Sequence, residues 1–87
     1  MGEKYQIDIP EIKRLAKQFT PEQIDSCINQ QLNEGSNVCD VRGATEYVIN
    51  ELSKAEFVRQ MMDKGSSLTD AVRELAQRIR SFHQMGK

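Results

Sequence analysis

Residues 53–82 read SKAEFVRQMMDKGSSLTDAVRELAQRIRSF, and this stretch decides the fold class because two helix starts and one helix stop follow in close succession. Ser53 stands three residues before Glu56, the spacing at which a hydroxyl and a carboxylate satisfy each other's orphan backbone N–H groups. Leu52 and Phe57 flank that box as a hydrophobic staple, so the sequence predicts a break before Ser53 and a new helix over 54–64. Phe57, Val58, Met61 and Met62 give this helix a broad apolar face, and Lys64-Gly65 supplies a left-handed stop. Ser67 then precedes Asp70 by three residues, and Leu68, Ala71, Val72, Leu75, Ile79 and Phe82 recur at helical spacing over 68–84. The short connection makes the pair a helical hairpin with a shared apolar seam.

Working outward, the same grammar sets the remaining helices. Asp8 with Pro10 and Glu11 starts a helix over 9–18 whose apolar face is Ile9, Ile12, Leu15, Ala16 and Phe19. Thr20, Pro21 and Gln23 start a second over 21–34, closed by Gly35 and burying Ile24, Cys27, Ile28 and Leu32. Its amides Asn29, Gln30, Gln31 and Asn33 read as solvated surface or as a polar partner face. Val38 and Cys39 are expected to return toward the core before Asp40 caps a third helix over 41–52. Gly43 inside that helix implies a close helix crossing or a helix that starts one turn later, of which the first is preferred. The expectation is an all-α, compact bundle of about five short helices with a C-terminal hairpin. It forms a single domain over 1–87, with residues 1–6 and 84–87 flexible.

Composition narrows the function. Hydrophobic residues make up 38% and charged residues 29% of the chain, the balance of a folded helical protein rather than a disordered one. A net charge of −1 gives no global attraction to nucleic acid or anionic membranes. Acids gather in the middle, at Glu22, Asp25, Glu34, Asp40, Glu46 and Glu51, and bases at the end, at Arg73, Arg78, Arg80 and Lys87. No apolar run reaches the length of a membrane span, and the first residues lack the apolar stretch of a signal peptide, so the expected location is cytoplasmic. Cys27 and Cys39 are too few for a disulfide scaffold, which agrees with a reducing compartment, although a bridge between them would close a short loop.

No motif carries recognisable catalysis. The lone His83 lies near a helix C-terminus, where a cation is favoured, without an adjacent nucleophile or carboxylate on its face. Cys39, Asp40 and His83 have no metal-ligand spacing, and glycine-rich phosphate loops are absent. The expectation is a non-enzyme without cofactor or metal. Cys39, one residue before the expected cap, is a candidate redox thiol that the helix start would activate and Asp40 would oppose.

Two binding readings remain. Phe57, Met61, Met62 and Phe82 form a candidate interface for a protein partner, a second copy of the chain above all, because methionine-rich apolar faces adapt to partners. The alternative is a nucleic-acid-binding regulator: residues 56–75 superficially resemble a helix-turn-helix unit, with Arg73, Arg78 and Arg80 on phosphates. Against it, Ser66-Ser67 stands where such units drive an apolar residue into the core.

Overall fold

The computed structural model describes residues 8–85, with side chains through Arg80. Four helices follow in order: α1 (Ile9–Gln18), α2 (Pro21–Glu34), α3 (Thr45–Asp63) and α4 (Leu68–Met85). The described residues contain no strand, so the all-α class holds with four helices in place of five. The flexibility expected of residues 1–6 and 86–87 lies outside the described residues, whereas Gln84 and Met85 still belong to α4.

The first two helices start as their sequences dictate. Asp8 accepts from the Glu11 N–H at 3.2 Å. Thr20 and Gln23 complete a reciprocal box, Thr20 Oγ1 accepting from the Gln23 N–H at 3.1 Å and Gln23 Oε1 from the Thr20 N–H at 2.9 Å. Gly35 ends α2 at φ +78°, a conformation glycine enters without a Cβ penalty.

The expected break at Ser53 does not occur. Ser53 is exposed on the outer side of an unbroken α3, while Val48, Glu51, Leu52, Ala55 and Val58 keep one buried stripe running through that position. A capping box is a local preference of about 1 kcal/mol, whereas each buried Leu or Val contributes about 1.5–3 kcal/mol. With no glycine or proline between Thr45 and Asp63 to favour a stop, burial along one face wins.

The start of α3 also differs from expectation. Asp40 does not cap it: this residue sits at φ +64° in the connecting loop, and Ala44 takes the N-cap position without a side-chain bond. Gly43 is in the loop at φ +131°, so the helix starts one turn later and Gly43 serves the turn rather than a helix crossing. The ring of Tyr47 lies against it, and a Cβ at this position would come to 3.1 Å from Tyr47 Cδ2.

Helix α3 is the centre of the molecule, packing on α2, on α1 and on α4. Ile12, Leu15 and Ala16 of α1, Ile24 and Cys27 of α2, and Ala71 and Leu75 of α4 close around its buried stripe. Arg59 ties this arrangement together from α3, donating Nη1–H to the Ala16 carbonyl at 2.9 Å and Nε–H to Asp63 at 3.0 Å. At the hairpin turn, Gly65 at φ +112° lets the Ser66 N–H reach back to the Met61 carbonyl, and Ser67 Oγ accepts from the Asp70 N–H. This turn follows the sequence reading.

Candidate functional site

Three groups of residues stand out: the hairpin face, the loop between α2 and α3, and a carboxyl cluster between α1 and α3. On the hairpin, Phe57, Met61 and Met62 of α3 and Leu68, Val72 and Ile79 of α4 touch the core, yet each is only half-buried. Three of the four expected interface residues, Phe57, Met61 and Met62, lie on α3 alone, and the side chain of Phe82 lies outside the described residues. Arg78 spans the two helices, its guanidinium 5.3 Å from the centre of the Phe57 ring and its Nε–H 2.9 Å from Glu74. Arg73 pairs with Asp70 at 3.3 Å, and Arg80 is exposed. The candidate nucleic-acid contacts Arg73 and Arg78 thus each face an acid of their own helix.

The loop over residues 35–44 is held by Asn37 of its own and by Gln30 and Gln31 of α2, two of the amides whose pattern reads as solvated surface or a polar partner face. Gln31 is buried at 3% exposure because its Nε2–H donates to Thr45 Oγ1 at 3.0 Å while its Oε1 accepts from Asn37 Nδ2–H at 2.9 Å. Asn37 also donates to the Val41 carbonyl and accepts from the Val41 N–H, and Gln30 Oε1 accepts from the Val38 N–H at 2.8 Å. From α1, Arg14 donates Nη2–H to the Cys39 carbonyl at 3.1 Å. Two expectations are corrected by this frame. Leu32 is 63% exposed, because at this end of α2 the inward positions are Cys27 and Gln31, one turn apart. Val38 is 76% exposed, because its backbone is held to Gln30 while Cys39 and Val41 turn inward.

Cys39 is neither exposed nor a free thiol. It is fully buried and bonded to Cys27, with the two Cα atoms 6.1 Å apart, inside the range a disulfide can bridge. The inward face of α2 and the returning loop bring the two sulfurs together, and a residue already bridged and out of solvent does not offer the thiolate that a redox sensor uses. Between this loop and the end of α2 lies a cavity of about 360 Å³.

Across α1 and α3, Glu51 is 3% exposed with one oxygen, Oε1, lacking any hydrogen-bond partner among the described residues. Its Oε2 meets Lys54 at 3.5 Å, and Tyr47 donates its hydroxyl to Glu11 at 3.4 Å. Burial raises the Glu51 pKa above the usual carboxylate value, Lys54 opposes that rise, and the negative charges of Glu11 and Asp8 add to it. Tyr47 is likewise raised, by burial first and then by Glu51, Glu11 and Asp8. On α3's other side, burial followed by Asp25 and Glu22 raises Glu56, so this residue faces acids of α2 rather than capping a helix.

A carboxyl whose folded pKa exceeds its unfolded one holds its proton more tightly in the native state, so its stabilising contribution is complete below the unfolded value and is lost as pH rises through the folded value. Glu51→Gln is expected to raise stability by about 1 kcal/mol at neutral pH and to flatten the loss of stability above the ordinary carboxylate range. Urea midpoints of both proteins across pH check this, and parallel pH curves would contradict it.

Among the described residues, no group of histidine, cysteine, aspartate and glutamate is arranged to hold a metal ion, and no helix is long and apolar enough to cross a membrane. Residues 7–82 match a protein-family model described as a family of unknown function, DUF6952. The chain belongs to this family. Neither the curated proteins nor the solved structures contain a match to this DUF6952 member.

Proposed function

We propose that this DUF6952 chain is a protein-interaction module that self-associates through the face of the α3–α4 hairpin. The observation that carries the reading is the partial exposure of Phe57, Met61, Met62, Leu68, Val72 and Ile79, which pack against the core from α3 and α4 yet each keep part of the side chain in solvent. Asp70–Arg73 and Glu74–Arg78 pair within α4, so the charges on this helix are balanced and do not repel a second copy laid against it. Methionines at the centre of the patch adapt to a self-complementary surface at little packing cost.

Met62→Glu is expected to shift the protein to a lower sedimentation coefficient at concentrations where the parent associates, because it places a carboxylate in the apolar centre. A parent and variant that sediment identically as associated species would contradict this interface. Nucleic-acid binding has less support, since Arg73 and Arg78 are each neutralised by an acid one turn earlier, which weakens the phosphate contacts such binding needs. The cytoplasm remains the proposed setting, but the Cys27–Cys39 bridge removes the support that two free thiols would have given it, since disulfides persist mainly in oxidising compartments.

A further inference from the structure

We propose that the cavity between the end of α2 and the loop is a binding site for a small zwitterion, a free amino acid or very short peptide. This inference is independent of self-association, which uses other elements. The cavity holds about 360 Å³ and is lined by Gln31, Asn37, Val41, Ser36, Asp40 and Arg42, with Gly35 and Gly43 at its edges.

The ligand class follows by subtraction. Both Nδ2 protons and the Oδ1 of Asn37 are engaged by Gln31 and Val41, and the Gln31 amide bonds Asn37 and Thr45, so these two side chains are frame rather than recognition groups. What remains is the Ser36 hydroxyl, the Asp40 carboxylate and the Arg42 guanidinium. Arg42 is 87% exposed and gives only its Nε–H to Asp40, at 3.1 Å, leaving its terminal N–H groups for a bidentate carboxylate. The same Asp40 accepts from an ammonium. A ligand with both charges therefore replaces one exposed ion pair by two complementary ones, and Val41 gives a small apolar floor.

The site is also held in shape before any ligand arrives. The Cys27–Cys39 bridge and the Arg14 bond hold the loop at Cys39, and the Asn37 bonds hold it to Gln31 and Val41, which lowers the ordering cost of binding. Gly35 adds no side chain to the edge, where a Cβ would meet open space.

The test is a titration of the isotope-labelled protein, followed by amide resonances, with the common free L-amino acids and glycylglycine, and with acetate and methylamine as single-charge probes. The expected result is a saturable shift at Ser36, Asn37, Arg42 and Gly43 with at least one zwitterion. Arg42→Ala and Asp40→Asn should each weaken it by about tenfold, the asparagine being chosen because it tolerates the positive φ at this position. Unchanged thermal midpoints show that these exposed substitutions leave the fold intact. The absence of saturation with every zwitterion, equal binding of acetate, or binding indifferent to both substitutions would each overturn the proposal.

Discussion

Lys54→Pro is expected to destabilise the protein by about 3 kcal/mol or more, and so to remove much of the 5–15 kcal/mol that holds a typical domain together. Lys54 lies in the middle of α3, where proline removes a backbone N–H from the helical ladder and its ring clashes with the preceding turn. The substitution separates two architectures cleanly. If a new helix started after Ser53, position 54 would be its first residue, where proline is favoured. In the continuous α3 it breaks the one helix on which the other three pack. Lys54→Ala is the control for loss of the Glu51 contact and is expected to cost about 1–2 kcal/mol, because it leaves the buried Glu51 carboxylate without its ammonium while improving helix propensity slightly. Urea midpoints by circular dichroism provide the measurement, and a proline variant with an unchanged midpoint would contradict the unbroken helix.

Loss of the Cys27–Cys39 bridge is expected to cost about 2–3 kcal/mol, the range for cross-links closing a short loop. The two residues are separated by 12 positions in sequence, and the loop they close contains no regular structure beyond the end of α2. Chain connectivity therefore supplies part of what helical hydrogen bonds supply elsewhere, and the amides of Gln30, Gln31 and Asn37 supply the rest. The Cys27→Ala, Cys39→Ala double variant removes the bridge without leaving a lone thiol. Its thermal midpoint should fall below that of the oxidised parent, and reductant during unfolding should lower the parent's midpoint toward it. A parent indifferent to reductant and equal to the variant would show that the bridge contributes nothing.

The legible part of this fold is the part governed by short-range chemistry. Asp8, Thr20, Gly35 and Gly65 each act as the sequence indicates, because a cap or a left-handed stop depends on residues within one turn. Ser53 carries the same local signal and is overridden, since Val48, Leu52, Ala55 and Val58 align only if the helix runs on. That alignment was present in the sequence as an unbroken spacing of three and four, and weighing it above the capping box would have joined the two helices. Asp40 shows the converse error. An aspartate before an apolar residue reads as a cap, but the disulfide and the Asn37 bonds hold it in a loop at positive φ.

The candidate sites were less legible because they depend on pairs distant in sequence. Phe57, Met61 and Met62 were accessible to pattern reading, as consecutive positions on one apolar face. Gln31 was not, because an amide on α2 is indistinguishable from surface until Thr45 and Asn37 approach it. The single available clue was that Gln31 lies one turn after Cys27 and so shares its inward face. Glu51 was hidden for the same reason: a glutamate one residue before Leu52 reads as solvated until α1 packs over it. Its unpartnered oxygen is a cost that helix packing alone imposes.

Sedimentation equilibrium of the unmodified chain over a wide concentration range tests self-association most directly. The hairpin interface predicts a mass that rises with concentration toward twice the 10.0 kDa of one chain, and that persists in high salt because its centre is apolar. A mass of one chain at every concentration would contradict it.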